Sequence, residues 1–335
     1  MSELHPFAFE GLRMPVRGAL VRLTDDWQEI LRRRAANSVT GAWPPAVMQL
    51  AGEMTAAVVL MQSAMNFFGM LTLQILGDGP VKEVTVDARP NLLFRATATI
   101  TGPVTSGPPG APLSLSSLMN AQGGGQCIIT LNPAGRLPSQ QPSRSTLPLV
   151  DAHGRPLESV AALISHHSHH TYQSTQLNTV LVLAADEHAA CGLMVQNLPG
   201  PAGENLPQGH AAQEEQDDDF RRITLLAQTL TRQELLTLDA DTILHRLFWQ
   251  ERLVRSEPLT GENGPRFVCS CSREAMLTVL RDMGENEVRN LLRQEGGQIE
   301  FGCLTCGWQL RFNAVDVARV FTPAQVFASG PPAMQ

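Results

Sequence analysis

The 335-residue sequence predicts an α+β protein with an N-terminal mixed α/β core containing antiparallel sheets, a helical linker and a small C-terminal unit built around four cysteines. Three observations predict this architecture. Short segments of alternating apolar and polar residues recur before residue 200, which is typical of strands. Helical apolar stripes follow between residues 220 and 250. Four of the six cysteines then lie in two short pairs.

Length and charge limit the possible classes of protein. A chain of 335 residues exceeds one compact core, so two or three structural units are expected. The apolar fraction of 43% and the charged fraction of 17% are ordinary for a globular protein. The net charge of −7 argues against general affinity for nucleic acid or an anionic membrane, because both need clustered Lys and Arg.

The expected location is the cytosol. No signal-peptide pattern opens the chain, since Glu3 and Glu10 stand where a basic and then an apolar region would be needed. The apolar stretch at residues 46–76 is interrupted by polar side chains, so it predicts a buried helix and strand rather than a membrane span. Cytosolic thiols stay reduced, so paired cysteines there favour metal ligands or redox sensors over structural bridges.

The core is expected to span residues 1–200. Its helices are predicted at residues 25–34, capped by Thr24 or Asp25, from residue 45 onward, and at residues 157–164. The second of these helices carries a core-facing apolar stripe made by Met48, Ala51, Met54, Val58 and Met61. Strands are predicted at residues 17–23, 69–76, 81–86, 92–100, 127–131, 179–185 and 190–198. Loops are expected at residues 102–112 and 133–148.

A metastable helical linker is expected at residues 201–260. Residues 199–216 have no apolar period and predict a mobile connection. The acids at residues 217–219 suit a helix N-terminus before an apolar stripe that begins at Phe220. Thr231 and Glu234 form a capping box, and Asp239 or Asp241 begins another helix. These short helices need a docking surface, because isolated short helices are marginal in water.

Two cysteine pairs carry the clearest chemical signal. The ligand pairs are Cys269 with Cys271 and Cys303 with Cys306, separated by 303 − 271 − 1 = 31 residues. Together they predict a tetrahedral all-sulfur site holding one Zn²⁺ per chain in the reduced protein. An iron–sulfur cluster is disfavoured by the single residue inside the first pair. A closed four-ligand site leaves no position for substrate water, which disfavours zinc catalysis. The chain is not expected to be an enzyme.

The small C-terminal four-cysteine zinc domain is expected at residues 261–325, followed by a disordered tail at residues 326–335. Helices are predicted at residues 272–283 and 287–294, closed by glycines, then strands at 299–301 and 308–312 and a last helix at 314–321 capped by Asn313. Gly307 permits a tight turn beside the second pair. Arg266, Arg273 and Arg311 lie near the cysteines in sequence and are expected to offset the charge of four thiolates.

The other candidate ligands predict no second site. Cys127 and Cys191 lie in apolar strand patterns and are expected to be small buried hydrophobic residues. His166, His167, His169 and His170 form a run without an accompanying cysteine or carboxylate pattern. A surface loop is expected there, with adventitious metal binding as the alternative.

Five segments carry a further signal: CSCSRE (residues 269–274), CLTCG (303–307), FNAVDVA (312–318), LTLQILGDGPV (71–81) and QELLTLDADTILHRLFWQE (233–251). Together they resemble the 33 kDa chaperonin family of redox-regulated heat-shock holdases, which bind unfolding proteins without ATP. The sequence departs from the family pattern at Thr175 and Asn178, where Glu and Pro are usual, and residues 136–147 lack the expected aromatic-rich strand.

The resemblance implies a chaperone that protects unfolding client proteins under oxidative stress. Oxidation would join Cys269 to Cys271 and Cys303 to Cys306 in redox-active disulfide bonds and release the zinc. The zinc domain and linker would then unfold and expose apolar surface to clients. The family resemblance further implies a homodimer in the oxidised, active state, with neither nucleic acid nor membrane as a partner.

Two other functions remain open on the residues alone. The main alternative is a zinc-ribbon nucleic-acid-binding protein, which the acidic balance and the lack of a basic, aromatic stripe disfavour. A thiol–disulfide oxidoreductase would need its CxxC motif at the start of a helix, whereas Gly307 and a predicted strand follow Cys306.

Overall fold

The computed structural model of the chain describes residues 1–38, 40–104, 113–135, 141–171, 178–198, 210–269, 271–303 and 305–321. Its helices are α1 (Asp25–Ala35), α2 (Pro45–Ala64), α3 (Leu115–Met119), α4 (Val160–Thr171), α5 (His210–Gln228), α6 (Arg232–Thr237), α7 (Ala240–Phe248), α8 (Arg273–Met283), α9 (Glu285–Gln294) and α10 (Ala314–Phe321), with a 3₁₀ turn at Gly261–Asn263. Its strands are β1 (Glu3–Glu10), β2 (Val16–Leu23), β3 (Gly69–Leu76), β4 (Val81–Ala88), β5 (Leu93–Ile100), β6 (Gln126–Pro133), β7 (Ser143–Pro148), β8 (Thr179–Ala185), β9 (Ala190–Asn197), β10 (Arg252–Arg255), β11 (Leu259–Thr260), β12 (Arg266–Phe267), β13 (Gln298–Gly302) and β14 (Gln309–Asn313).

Among these residues the strands form two six-stranded sheets and one separate hairpin. The first sheet has the order β10-β1-β2-β9-β8, and β11 also pairs with β1. The second sheet has the order β12-β5-β4-β3-β6-β7. Every pairing is antiparallel except that of β12 with β5. The predicted α+β class with antiparallel sheets is confirmed.

Helix α2 packs against both sheets and forms the centre of the main core. Its sequence is rich in Ala, Val, Leu and Met on every side, which is typical of a helix buried all round. The predicted apolar stripe is confirmed, because Ala51, Met54 and Val58 are fully buried, while Met48 and Met61 are partly buried against the same core. The predicted helix and strand at residues 46–76 are therefore α2 and β3.

The outer face of the first sheet is covered by α5, α6 and α7, which we name the linker helices. The ring of Phe248 on α7 lies 6.0 Å from that of Phe7 and 5.0 Å from that of Phe9, both on β1. Their shared core also contains the buried residues Val16, Leu20, Leu193, Val195, Phe220, Ile223, Ala227, Leu230, Leu235, Ile243, Leu244 and Leu247. The linker helices therefore fold against the sheet and share one core with it.

Polar contacts and added strands also join this region to the core. Arg22 on β2 donates hydrogen bonds of 2.6 Å to the carbonyl oxygens of Leu236 and Leu238. Arg232 on α6 donates to the carbonyl oxygen of Ala185 and lies 3.5 Å from the carboxylate of Glu53 on α2. Beyond α7, strands β10 and β11 pair with the edge strand β1. The segment after the linker helices is thus part of the first sheet.

The C-terminal unit consists of α8, α9, the β13–β14 hairpin and α10. Its buried apolar residues are Leu280, Val288, Ile299, Phe312, Val317 and Val320. Asn313 caps α10, because its Oδ1 accepts hydrogen bonds from the backbone N–H groups of Val315 and Asp316 at 2.9 and 3.0 Å. A core this small usually needs a cross-link or a metal to remain folded.

Several predicted elements are confirmed, with ends shifted by a few residues. The predicted helices at residues 272–283 and 287–294 correspond to α8 and α9, although α9 begins two residues earlier than expected. The capping box of Thr231 and Glu234 is present, and Asp239 rather than Asp241 caps α7. At α1 the expected side-chain cap is not formed by Thr24.

Other predictions are wrong for identifiable reasons. The His run lies in α4 instead of a surface loop, and His167 is buried. The loop expected at residues 133–148 contains β7, a largely exposed edge strand whose polar composition hides it. The acids at residues 217–219 lie inside α5, which begins at His210, and Asp219 forms an i,i+3 ion pair with Arg222 at 3.0 Å.

Some elements were not predicted at all. They are β1, α3, β7, β10, β11 and β12.

Thr175 and the expected tail at residues 326–335 lie outside the described residues. Within the described part of the chain, no helix has the length and apolar character needed to cross a bilayer.

Phe248→Ala is expected to loosen the linker helices from the sheet. Removing this buried ring leaves a cavity between Phe7 and Phe9 that costs about 3–5 kcal/mol. In reducing buffer the variant should bind more bis-ANS and be cleaved faster by protease within residues 218–255. Trp249→Ala is the matched control, because its neighbouring side chain is 66% exposed. Equal behaviour of the two variants would contradict the packing described.

Candidate metal centre

The first cysteine pair is positioned by an edge strand of the core. Strand β12 pairs parallel with β5, and the N–H of Val268 donates to the carbonyl oxygen of Phe94 at 3.0 Å. The N–H of Phe267 also donates to the carboxylate of Asp26 on α1 at 2.8 Å. The backbone leading to Cys269 is therefore attached to both the second sheet and α1.

The second cysteine pair lies in the turn between β13 and β14. The N–H of Cys303 donates to the carbonyl oxygen of Trp308, and the N–H of Gly307 donates to that of Cys303, both at 2.8 Å. Gly307 has a φ of +75°, and a Cβ there would lie 2.9 Å from the side chain of Arg34 on α1. Both the tight turn and the close approach to α1 therefore require glycine.

The two pairs meet, and their four sulfur atoms lie close together. The Sγ atoms of the four cysteines lie within 4.8 Å of one another. Cys269 and Cys303 are separated by 3.7 Å between sulfurs, and Cys271 and Cys306 by 3.3 Å. A tetrahedral ion with metal–sulfur bonds of about 2.3 Å requires sulfur–sulfur edges of about 3.8 Å. The cluster can therefore hold a metal ion.

Negative charge is unequally favoured at the sulfurs of Cys269, Cys271 and Cys303. The pKa of Cys303 is lowered because its sulfur accepts hydrogen bonds from the thiols of Cys269 and Cys306. The pKa of Cys269 is raised by its contacts with the same two neighbours. Burial, followed by a contact with Cys306, raises the pKa of Cys271 to about 12. Four thiolates at this spacing need a compensating cation at their centre, which a divalent metal supplies.

The arginine that contacts the cluster comes from the core and not from the C-terminal unit. Arg33 on α1 places Nη1 4.0 Å from the Sγ of Cys306. Of the arginines expected to offset the charge, Arg273 is paired with Asp316 at 2.7 Å and Arg311 with Glu300 at 3.1 Å. Sequence reasoning missed Arg33, because an arginine at a helix C-terminus is explained by the helix dipole alone.

The loop after α1 holds the C-terminal unit through hydrogen bonds. The side-chain Nδ2 of Asn37, a buried residue, donates to the carbonyl oxygen of Gly307 at 2.8 Å. The N–H of Ser38 donates to the Oε1 of Gln309 at 2.9 Å, and the Ser38 hydroxyl donates to Glu300 at 3.0 Å. The metal centre therefore lies at a polar contact between the C-terminal unit and the core.

The remaining cysteines are structural, as predicted. Cys127 and Cys191 are buried in β6 and β9 at 1% and 0% exposure. Burial raises the pKa of each thiol to about 12. The two thiols remain protonated in the folded protein at neutral pH and do not join the four-cysteine cluster.

Comparisons with known proteins agree with this geometry. The family model described as Hsp33 protein matches residues 2–313. A 33 kDa chaperonin from Chromobacterium violaceum is 36% identical over 321 residues, covering 96% of this chain and 94% of the relative. Another from Nitrosococcus oceani is 32% identical and covers 96% and 94%. The crystal structure of a 33 kDa chaperonin from Thermotoga maritima shares the fold, with a TM-score of 0.62, 16% identity and coverage of 94% and 97%.

Cys127→Ala is expected to reduce the alkaline destabilisation of the fold. The pKa of this thiol is raised to about 12 in the folded state from an ordinary value of 9.0. Its contribution to stability is therefore complete below pH 9 and is lost as the pH rises toward 12. Between these values the free energy of unfolding of the native chain should fall by about 1.4 kcal/mol per pH unit more than that of the variant.

Urea unfolding in the presence of reductant at pH 7.5, 9, 10 and 11 measures this difference. The difference in stability between native chain and variant should be constant up to pH 9 and shrink above it. A constant difference at all four pH values would contradict the buried, protonated thiol.

Proposed function

The chain belongs to the Hsp33 family of chaperones, and on that premise we propose that it is a redox-regulated, ATP-independent holdase. The proposal assigns it one Zn²⁺ in the reduced state, unfolding client proteins as partners, and a role in oxidative stress in the cytosol. It assigns no catalytic activity, and neither nucleic acid nor membrane is a partner. The active, oxidised form is proposed to be a homodimer.

One observation carries this proposal. The four sulfurs lie where the chain passes from the strands that follow the linker helices into the C-terminal unit, which has only a small apolar core. We assign residues 1–200 to the chaperone core, 201–260 to the metastable linker and 261–325 to the zinc domain. A metal bound by the four sulfurs at this junction keeps both the linker and the zinc domain docked on the core.

Zinc is the metal that best suits four cysteine sulfurs in a closed tetrahedral arrangement. When bound, it holds the sulfurs as thiolates and adds folding free energy on the order of 10–16 kcal/mol. Cys269 and Cys271 supply ligands from the core side, and Cys303 and Cys306 supply them from the β13–β14 turn. Loss of any one ligand therefore weakens the connection between these two segments.

Oxidation removes all four ligands. Two thiolates of a pair give two electrons to an oxidant such as hypochlorous acid, which takes up one proton from solvent and is reduced to chloride and water as the sulfurs join. We propose bridges from Cys269 to Cys271 and from Cys303 to Cys306. Bridges within each pair leave no covalent bond between the two segments, whereas a Cys271–Cys306 bridge would keep them together. Within-pair oxidation therefore both expels the metal and separates the segments.

Release of the linker helices then supplies the client-binding surface. The core that they share with the first sheet includes Phe7, Phe9 and Phe248, which would be exposed when the helices leave. Newly exposed apolar surface of this kind binds other exposed apolar chains. The energy source is oxidation and local unfolding, so the binding step needs no nucleotide.

The test of this proposal measures zinc and chaperone activity on one sample. Reduced protein is treated with hypochlorous acid, and zinc release is followed with a chromophoric chelator while suppression of citrate synthase aggregation is recorded. The proposal predicts about one zinc released per chain as holdase activity rises. Full holdase activity with zinc still bound would remove the redox switch, and no activity in either state would remove the chaperone.

A further inference from the structure

We propose that Arg33 is a positioning residue of the cysteine centre, acting from the core as a clasp on Cys306. The clasp would couple metal retention to the docking of the C-terminal unit on α1. This inference rests on the proposed function, because it concerns how the same switch is regulated. It adds a core residue to a switch otherwise made only of cysteines.

The guanidinium of Arg33 is held in a defined orientation by two other groups. Its Nε donates to the Oε1 of Glu29 at 2.6 Å, one turn earlier on α1. Its planar face lies over the ring of Phe267 at 5.0 Å from the centroid. These contacts leave Nη1 directed at the Sγ of Cys306 at 4.0 Å. The side chain is 27% exposed, so its charge is only partly screened by water.

Cys306 is the ligand most enclosed by the core. It is 0% exposed, whereas the other three cysteines are half-buried. The next residue, Gly307, lies against Arg34 and accepts the hydrogen bond from Asn37 at 2.8 Å. Arg33 and Asn37 therefore hold the same turn from two sides, one at the sulfur and one at the backbone.

Electrostatics gives this contact a direct effect on oxidation. Four thiolates around a divalent cation carry two excess negative charges, and a cationic N–H donor stabilises charge on the sulfur it faces. A metal-bound sulfur is already a thiolate, so a cation beside it cannot increase the thiolate fraction and only lowers its nucleophilicity toward an oxidant. Arg33 therefore slows the reaction of Cys306 as long as the C-terminal unit is docked.

The same contact transmits oxidation to the core. When Cys303 and Cys306 give two electrons to an oxidant and join, the sulfur of Cys306 loses its negative charge. The Nη1 of Arg33 then faces a neutral sulfur, and its charge-assisted hydrogen bond becomes a weak contact, while its ion pair with Glu29 is unaffected. Docking of the turn on α1 is weakened by the disulfide itself, in addition to the loss of metal.

Arg32 provides a matched control on the same helix. It forms two hydrogen bonds to the same Glu29 carboxylate, at 2.7 and 2.8 Å, but its side chain is 69% exposed. Arg32→Met and Arg33→Met each remove one positive charge and one partner of Glu29. Only Arg33→Met removes the contact with Cys306.

The experiment compares full-length, reduced, zinc-loaded proteins. Zinc release under limiting hypochlorous acid is followed with a chromophoric chelator, and hydrogen exchange of backbone amides at residues 305–309 is measured before oxidation. Arg33→Met is expected to release zinc about tenfold faster than the native chain, the size expected for a lost charge-assisted hydrogen bond. Its amides at residues 305–309 should also exchange faster. Arg32→Met should stay close to the native chain in both measurements.

Two further variants keep the proposal falsifiable if Arg33→Met folds poorly. Arg33→Lys retains the charge without the planar fork and should show an intermediate rate of zinc release. Asn37→Ala removes the hydrogen bond to Gly307 without changing any charge, and should raise exchange at residues 305–309. Unchanged exchange in Asn37→Ala would overturn the docking part of the clasp.

The possible outcomes distinguish a failure of this inference from a failure of the proposed function. If Arg33→Met matches Arg32→Met while the native chain releases zinc and gains holdase activity, the clasp is wrong and the proposed function stands. If the native chain binds no zinc or gains no activity on oxidation, both are overturned.

Discussion

The apolar contact between the linker helices and the outer face of the first sheet is the one on which the other parts of the structure depend. It keeps water away from that face. Burial of a ring such as Phe7, Phe9 or Phe248 stabilises the docked state by about 1.5–3 kcal/mol each. The linker helices share their core with the sheet and have no separate one. Their order therefore depends on this docking, because isolated short helices are marginal in water.

The position of the cysteines shows which parts of the chain a metal bound there would connect. After α7 the chain adds β10 and β11 to the first sheet and β12 to the second, then reaches Cys269 directly. The C-terminal unit closes this path by returning Cys303 and Cys306 to the same point, against α1. Under the proposed function, opening the sulfur cluster releases the segment that follows the linker helices.

Sequence patterns predicted the parts whose chemistry is local. The cluster of four cysteines follows from the spacing of the two cysteine pairs, α2 from its apolar stripe, and α6 from the capping box at Thr231 and Glu234. Strands β11 and β12 are each two residues long, so they have no periodicity and exist only because a sheet edge accepts them. Arg33 contacts a cysteine 273 positions away, and no local pattern marks such a contact.

Hydrogen exchange of the reduced protein during removal of zinc by a chelator, without any oxidant, tests the central claim most directly. The account predicts that protection is lost in the linker helices at residues 218–248 as the metal leaves, while α2 remains protected. Retained protection of the linker helices in the metal-free, reduced protein would contradict it, because the sulfur–metal bonds would then not be what keeps the apolar sheet covered.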